Sequence, residues 1–208
     1  MGIVRNGPPA ELILRLKNVY HIEDFIETGT YRGDTSLWAA SHFSKVYTIE
    51  YSKDIYEDTV KRLDNNKKIS LFFGDSRLIL QQILPQLRNS ALFWIDSHWS
   101  GGNTYGKNDE CPLIDEILLI NGSEIPHFLF IDDARLFLSP PPRPHQINQW
   151  PPIDKVIKAI NSGSFKYYIV IIEDVIISVP DYAKDLVMNY CQDISTQAWE
   201  NYLKKWNE

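Results

Sequence analysis

The chain has 208 residues, a length typical of one domain with a substantial core. Its content of 44% hydrophobic and 23% charged residues is ordinary for a globular protein, and its net charge is −6. This acidic balance argues against binding to nucleic acid or to an anionic membrane, and no apolar run is long enough to span a bilayer.

The N-terminus lacks the apolar core of a secretory signal, and the spacing of Cys111 and Cys191 fits neither a metal pair nor a disulfide framework. We therefore expect a cytoplasmic protein. Nothing in the sequence excludes a homo-oligomer.

Strand and helix patterns alternate along the chain after a leading helix over Pro9–Val19. The predicted strands are Phe25–Glu27, Lys45–Glu50, Ile69–Phe73, Ala91–Ile95, Phe128–Ile131 and a hairpin formed by Lys166–Ile172 and Val175–Val179. The predicted helices begin at Thr35 and then cover Asp54–Leu63, Arg77–Leu87, Pro112–Ile120, Pro152–Asn161 and most of Asp181–Glu208.

This alternation predicts an α/β fold with a doubly wound, Rossmann-like sheet. We expect seven mainly parallel strands, with an antiparallel strand in the terminal hairpin. A single domain should cover residues 1–208, with a helical lead-in over 1–22 and a helical extension over 181–208.

The stretch Asp24–Thr35 reads as a strand, a glycine turn and a helix start. Gly29 and Gly33 let the backbone approach a ligand closely, since glycine has no Cβ, and the N–H groups of a helix N-terminus point toward such a ligand. This pattern predicts a nucleotide-type cofactor loop.

Acidic or imidazole side chains follow the predicted strands at their carboxyl ends, where ligands bind in sheets of this kind. One rim of the sheet should therefore carry Glu27, Glu50, Asp75, Asp96, His98, Asp132 and Asp133.

Three of these elements in series resemble the class I S-adenosylmethionine (SAM)-dependent methyltransferases: Glu-Thr-Gly-Thr-Tyr-Arg-Gly at 27–33, the acid Glu50, and Gly-Asp-Ser at 74–76. A dinucleotide dehydrogenase is the competing interpretation, but its G-x-G-x-x-G motif would need glycine where Tyr31 stands. The resemblance implies that Glu50 accepts from the ribose hydroxyls and Asp75 from the adenine amino group. It implies further cofactor contacts for Glu27, Thr28, Gly29, Thr30, Gly33, Thr35, Ser76 and Asp96.

The acids after the fourth and fifth strands resemble those of the metal-dependent sugar O-methyltransferases of the macrocin and mycinamicin type. That resemblance implies that Asp96, Asp132 and Asp133 hold Mg²⁺ or Mn²⁺, whose preferred ligands are oxygen atoms. The neighbouring segments 97–102 and 134–135 do not match that pattern. Asp133 could instead cap a turn.

Two residues are candidates for removing the proton of the acceptor: His98, whose ordinary pKa is about 6.5, and Asp96. Arg135 would orient the substrate or neutralise the acid cluster. Aromatic rings in the flanking loops could stack on a sugar ring, although ordinary loop packing explains them equally well. The candidate substrate contacts are therefore His98, Trp99, Tyr105, Arg135, His145 and Trp150.

The sequence thus predicts a SAM-dependent O-methyltransferase that acts on a hydroxyl of a sugar or glycan with the help of a divalent metal. The alternatives are a catechol-type or other small-molecule O-methyltransferase, and a non-catalytic or hydroxylase-like protein of the same fold. The expected partner is a small molecule or a glycan.

Overall fold

A seven-stranded sheet forms the centre of the computed structural model, which describes residues 7–102, 104, 106 and 108–206. The strand order is β3-β2-β1-β4-β5-β7-β6, and β7 is antiparallel to both of its neighbours while the other pairs are parallel. The predicted fold class is therefore confirmed. The strands are β1 (Asp24–Thr28), β2 (Lys45–Glu50), β3 (Ile69–Phe73), β4 (Leu92–Ile95), β5 (Phe128–Ile131), β6 (Tyr167–Ile172) and β7 (Val175–Pro180).

Helices cover both faces of the sheet. They are α1 (Ala10–Tyr20), α2 (Asp34–His42), α3 (Lys53–Leu63), α4 (Ser76–Ile83), α5 (Leu113–Asn121), α6 (Arg135–Leu138), α7 (Ile153–Ile160) and α8 (Lys184–Trp206). Among these described helices, none combines the length and the apolar character that a bilayer-crossing segment needs.

Two apolar cores lie on opposite faces of the sheet because successive strand residues point to opposite sides. Ile26 packs into the core beneath α4, α5 and α7, whereas its neighbour Phe25 packs into the core beneath α1, α2 and α8. The strands β4 and β5 are buried on both faces and are accordingly apolar at every position.

The helix after β3 differs from its prediction at both ends. Its N-cap is Asp75, whose side chain accepts from the backbone N–H of Arg77 at 2.9 Å, whereas Ser76 is the first helical residue. The helix ends at Ile83 and continues as a 3-10 turn over Leu84–Gln86, because Pro85 lacks the N–H that a longer helix needs.

The strand order turns at β1, which lies between β2 and β4. The chain leaves β1 and β4 toward opposite sides of the sheet, and this topology opens a crevice beyond their carboxyl ends. The predicted rim residues all lie at this edge: Glu27 and Glu50 belong to the last residues of β1 and β2, and the others follow β3, β4 and β5.

Candidate active site

The loop after β1 passes directly over the end of β4. Gly29 has φ +92°, and a Cβ at this position would lie 2.4 Å from the backbone oxygen of Asp96. Its N–H and that of Thr30 both donate to the carbonyl of Ile49, at 3.0 and 3.1 Å. Gly33, with φ +77°, is the N-cap of α2. Gly29 therefore allows a backbone contact that no other residue permits.

A cleft of about 480 Å³ opens beside this loop, and we call it the first cleft. Glu50 lies in its wall and is buried, and burial raises its pKa. The Glu50 carboxylate accepts from the backbone N–H groups of Ser52 at 2.8 Å and of Tyr31 at 2.9 Å. The lining residues are Gly29, Tyr31, Ile49, Glu50, Tyr51, Ile55, Gly74, Ser76, Asp96, Ser97, His98, Ser100, Gly101 and Thr104.

Asp75 and Ser76 take different positions at the end of β3. The Asp75 carboxylate is engaged by Arg77, whose Nη2 lies 2.6 Å from it and whose Nε lies 2.9 Å from it. The Ser76 side chain is buried in the wall of the first cleft, beside the buried carboxyl of Glu116. The hydrogen-bonding capacity of the Asp75 carboxylate is thus largely used within the protein, whereas Ser76 contributes a hydroxyl to the cleft wall.

Glu27 lies beneath the loop and is almost completely buried. Its carboxyl accepts from the hydroxyls of Ser36 and of Thr48, the latter at 2.7 Å, and burial raises its pKa to about 7. The hydroxyl of Thr30 lies 2.6 Å from that of Thr48. These contacts form a polar floor that fixes the loop from below.

A second cleft of about 670 Å³ lies on the other side of the loop. It shares Gly29, Tyr31 and Asp96 with the first cleft, so the two spaces meet above the end of β4. Its lining also includes Glu27, Thr30, Arg32, Asp34, Thr35, Trp38, Trp94 and Asp132.

His98 lies between two carboxylates in the wall of the first cleft. Its Nε2 lies 3.0 Å from Asp133 Oδ2 and 3.3 Å from Asp96 Oδ1, without the alignment of a good hydrogen bond to either. One ligand atom from each of these three residues lies within 4.8 Å of the others, an arrangement that could hold a cation. This group contains His98 in place of Asp132, which the sequence had suggested as a ligand.

The charges in this group influence one another. Burial alone lowers the pKa of His98, but the carboxylates of Asp133 and Asp96 raise it above its ordinary value. Burial raises the pKa of Asp96 well above its ordinary value. Burial also raises the pKa of Asp132 to about 6, and Asp132 accepts from the backbone N–H of Asp133 at 2.8 Å.

Arg135 lies behind the same acids rather than in either cleft. Its Nη1 donates to Asp133 at 2.6 Å and to Asp174, which belongs to the turn between β6 and β7. Asp174 also accepts from the backbone N–H of Arg135 at 2.8 Å. Of the two roles expected for Arg135, this placement matches neutralisation of the acid cluster.

The aromatic loop residues pack against one another around Glu110. Trp150 Nε1 donates to the Glu110 carboxylate at 2.6 Å, and His145 Nδ1 lies 3.1 Å from it. The rings of Trp99 and Trp150 both contact His145, with centroids 5.3 and 5.0 Å apart. The two tryptophans are 8% and 6% exposed, so they offer little ring surface to a substrate. Tyr105, the fourth aromatic candidate, lies outside the described residues.

Several polar residues that contact the site or connect its loops were not predicted from the sequence. Glu116 and Ser97 form a buried pair behind the first cleft, at 2.6 Å. Glu110 and Asp174 connect loops that are far apart in the chain. The one signal for Glu116 is an acid on the apolar face of a helix, and only the packing of α5 shows what it contacts.

Comparison with known proteins identifies the fold. No protein-family model and no curated protein matches the sequence. Among solved structures, the chain is similar to the O-methyltransferase TomG from Streptomyces achromogenes, involved in tomaymycin synthesis and solved in complex with SAM (TM-score 0.54, 13% identity, 85% of this chain and 82% of that one). It is also similar to an O-methyltransferase from Bacillus cereus in complex with S-adenosylhomocysteine (SAH) (TM-score 0.55, 16% identity, 85% and 83%).

A third similar structure is a putative caffeoyl-CoA O-methyltransferase from Staphylococcus aureus (TM-score 0.56, 14% identity, 85% of this chain and 86% of that one). The class of protein that these likenesses define is the Rossmann-like methyltransferase fold. At such low identity they show the fold alone.

Proposed function

We propose that this protein is a SAM-dependent O-methyltransferase. The observation that carries the proposal is the first cleft, which brings Gly29, Glu50 and Asp96 together at the point where the strand order turns. Gly29, where a Cβ would collide with the Asp96 carbonyl, allows the loop after β1 to lie against the end of β4 and so shapes the cleft. The Glu50 carboxylate and the Ser76 hydroxyl in the cleft wall fit an adenosyl ligand that donates hydrogen bonds.

The cofactor would lie across the two clefts. Glu50 keeps lone pairs for the ribose hydroxyls beyond those that accept from backbone N–H groups. The amino-acid end would lie against the loop at Gly29, and Thr35 would face it from the second cleft. This places the transferred methyl group near Asp96, which lines both clefts.

For the acceptor we propose a sugar or glycan hydroxyl that enters through the second cleft. Carboxylates of Glu27, Asp96 and Asp132 line this cleft, and carboxylates accept hydrogen bonds from neighbouring hydroxyls. Tyr31 and Trp38 supply aromatic surface there. The second cleft therefore offers, besides its carboxylates, the aromatic surface that the sequence analysis expected from Trp99, His145 and Trp150.

Asp96 and His98 are the proposed groups that take the acceptor proton, since Asp96 lines both clefts and His98 lies beside it in the first cleft. The Asp96–His98–Asp133 group also fits a divalent cation, and its imidazole is more usual with Mn²⁺ or another transition metal than with Mg²⁺. A cation held there would lower the pKa of an acceptor hydroxyl. Activity abolished by EDTA and restored by Mn²⁺ or Mg²⁺ supports the metal, whereas full activity in EDTA leaves His98 and Asp96 acting alone.

Calorimetry with SAM and SAH tests the cofactor directly. We expect binding by the wild-type protein, and for Glu50→Ala an affinity reduced roughly 10- to 100-fold, because a buried site loses its ribose acceptor. A folded wild-type protein that binds neither compound at millimolar concentration contradicts the proposal.

A small-molecule O-methyltransferase is the second candidate. The similar structures favour it, since their descriptions include tomaymycin synthesis and a caffeoyl-CoA enzyme. Incubation with methyl-labelled SAM and matched panels of sugars and phenols separates the two candidates by the class that becomes labelled.

A further inference from the structure

Behind the first cleft, one carboxyl contacts a hydroxyl of the cleft wall. Glu116 of α5 is fully buried, and the Ser97 hydroxyl donates to its Oε1 at 2.6 Å. Ser97 itself lines the cleft. The hydroxyls of Ser76 and Thr28 lie beside the same carboxyl and lower its pKa, although burial outweighs them and raises it.

Glu116 and the hydroxyls of Ser97 and Ser76 lie at the end of the first cleft that would receive the adenine base. Glu50 marks the proposed ribose position on β2, and the next strand outward, β3, is followed by Gly74 and Ser76, which also line the cleft. Because Ser97 and Ser76 both adjoin Glu116, their hydroxyls belong to the same end. Asp75, which the sequence suggested for the adenine amino group, is engaged by Arg77 instead.

The direction of one hydrogen bond decides what Ser97 offers the ligand. A hydroxyl has one proton and two lone pairs. Since the Ser97 proton is directed to Glu116, the lone pairs remain for a donor in the cleft. The exocyclic amino group of adenine is such a donor, whereas hypoxanthine presents a carbonyl oxygen at the same place.

We propose that Glu116 is a positioning residue that makes the site selective for adenine over hypoxanthine by holding Ser97 as a hydrogen-bond acceptor. The inference rests on the proposed SAM cofactor and adds a residue that touches neither the cofactor nor the acceptor. Glu116→Gln replaces one acceptor oxygen by an N–H donor with little change in volume, so Ser97 is no longer restricted to donating to this residue and its proton can turn toward the cleft.

The test compares the affinities of SAH and S-inosylhomocysteine by calorimetry. We expect wild-type protein to prefer SAH by roughly 10- to 100-fold, the range that one buried hydrogen bond supports. In Glu116→Gln this preference should fall about tenfold or more. Ser97→Ala, which removes the hydroxyl without altering a buried charge, should reduce the preference to a similar extent.

Glu110→Gln is the matched control, because it also replaces a buried glutamate but lies outside the first cleft, and its preference should equal that of the wild type. The inference is overturned if Glu116→Gln and Ser97→Ala both keep the wild-type preference while binding SAH. If the wild type does not bind SAH, both the proposed cofactor and the role of Glu116 are overturned. If it binds SAH but the variants keep the wild-type preference, only the role of Glu116 is overturned, so the two failures are distinguishable.

Discussion

Two buried glutamates show how differently this protein uses the same side chain. Glu50 accepts from two backbone N–H groups and still faces the first cleft. Glu110 accepts from Trp150 and from the backbone N–H of Gln146, adjoins His145, and is 1% exposed. A buried carboxylate serves a ligand only where the surrounding chain leaves its lone pairs directed outward.

The same contrast extends to the regions around them. We call the residues around Gly29, Glu50 and Asp96 the open edge, and Trp99, Glu110, His145 and Trp150 the closed cluster. Substitutions in the open edge should affect ligand binding, whereas those in the closed cluster should affect the free energy of unfolding.

The largest effect is expected at the open edge for Gly29→Ala. The added Cβ meets the Asp96 carbonyl at 2.4 Å in a backbone conformation with φ +92°, so the loop must move. We expect the free energy of unfolding to fall by about 3–5 kcal/mol and SAH affinity to fall at least ~100-fold. Urea denaturation and calorimetry measure the two effects.

Gly102→Ala is the control for Gly29→Ala, since Gly102 also has a positive φ but faces open space. Comparing the two variants separates the free-energy cost of placing alanine at a positive φ from the cost of the collision with the Asp96 carbonyl. Equal destabilisation by the two substitutions would contradict the proposed clash with Asp96.

The second largest effect is expected from the titration of Glu27, which makes the free energy of unfolding depend on pH. Burial raises its folded pKa from 4.5 to about 7, so between these values the folded state holds a proton that the unfolded state has released. Stability therefore falls as pH rises through this window, by roughly 3 kcal/mol, and levels off above it.

Glu27→Gln removes this titration. Urea denaturation at pH 4.5, 5.5 and 7 should show a shallower loss of stability in the variant than in the wild type. Parallel pH profiles for the two proteins would show that folding does not shift the pKa of Glu27.

For the closed cluster, Glu110→Gln tests whether its role is structural. The substitution turns one acceptor oxygen into an N–H donor that faces the N–H groups around it, so the free energy of unfolding should fall by about 1–3 kcal/mol. SAH affinity should stay within about threefold. A large loss of affinity in a stably folded variant would assign the closed cluster to the binding site.

The smallest effect is expected for Asp109→Asn, which removes the ion pair with Arg77 at 2.7 Å. Asp109 is half exposed, and such pairs contribute less than about 1 kcal/mol. The difference from the wild type should shrink in high salt, which denaturation at two salt concentrations measures. A salt-independent loss above about 2 kcal/mol would show a structural role beyond the ion pair.

The sequence predicted the sheet well because its strands are apolar runs with clear ends, and the acids after them locate the rim. It assigned Trp99, His145 and Trp150 to the substrate because pattern alone cannot distinguish an aromatic ring facing a cleft from one covering a buried glutamate. The pairing of Glu116 with Ser97 was equally hidden, since 19 residues separate them and only tertiary packing brings them together.

The strand order also determines when the rim can form during synthesis. Asp133 is held by Arg135, and Arg135 is held by Asp174 in the turn of the terminal hairpin. β7 then inserts between β5 and β6, so that hairpin must be made before β5 gains its last neighbour. A nascent chain that ends before residue 174 therefore carries the loop after β1 but an unfinished acid cluster.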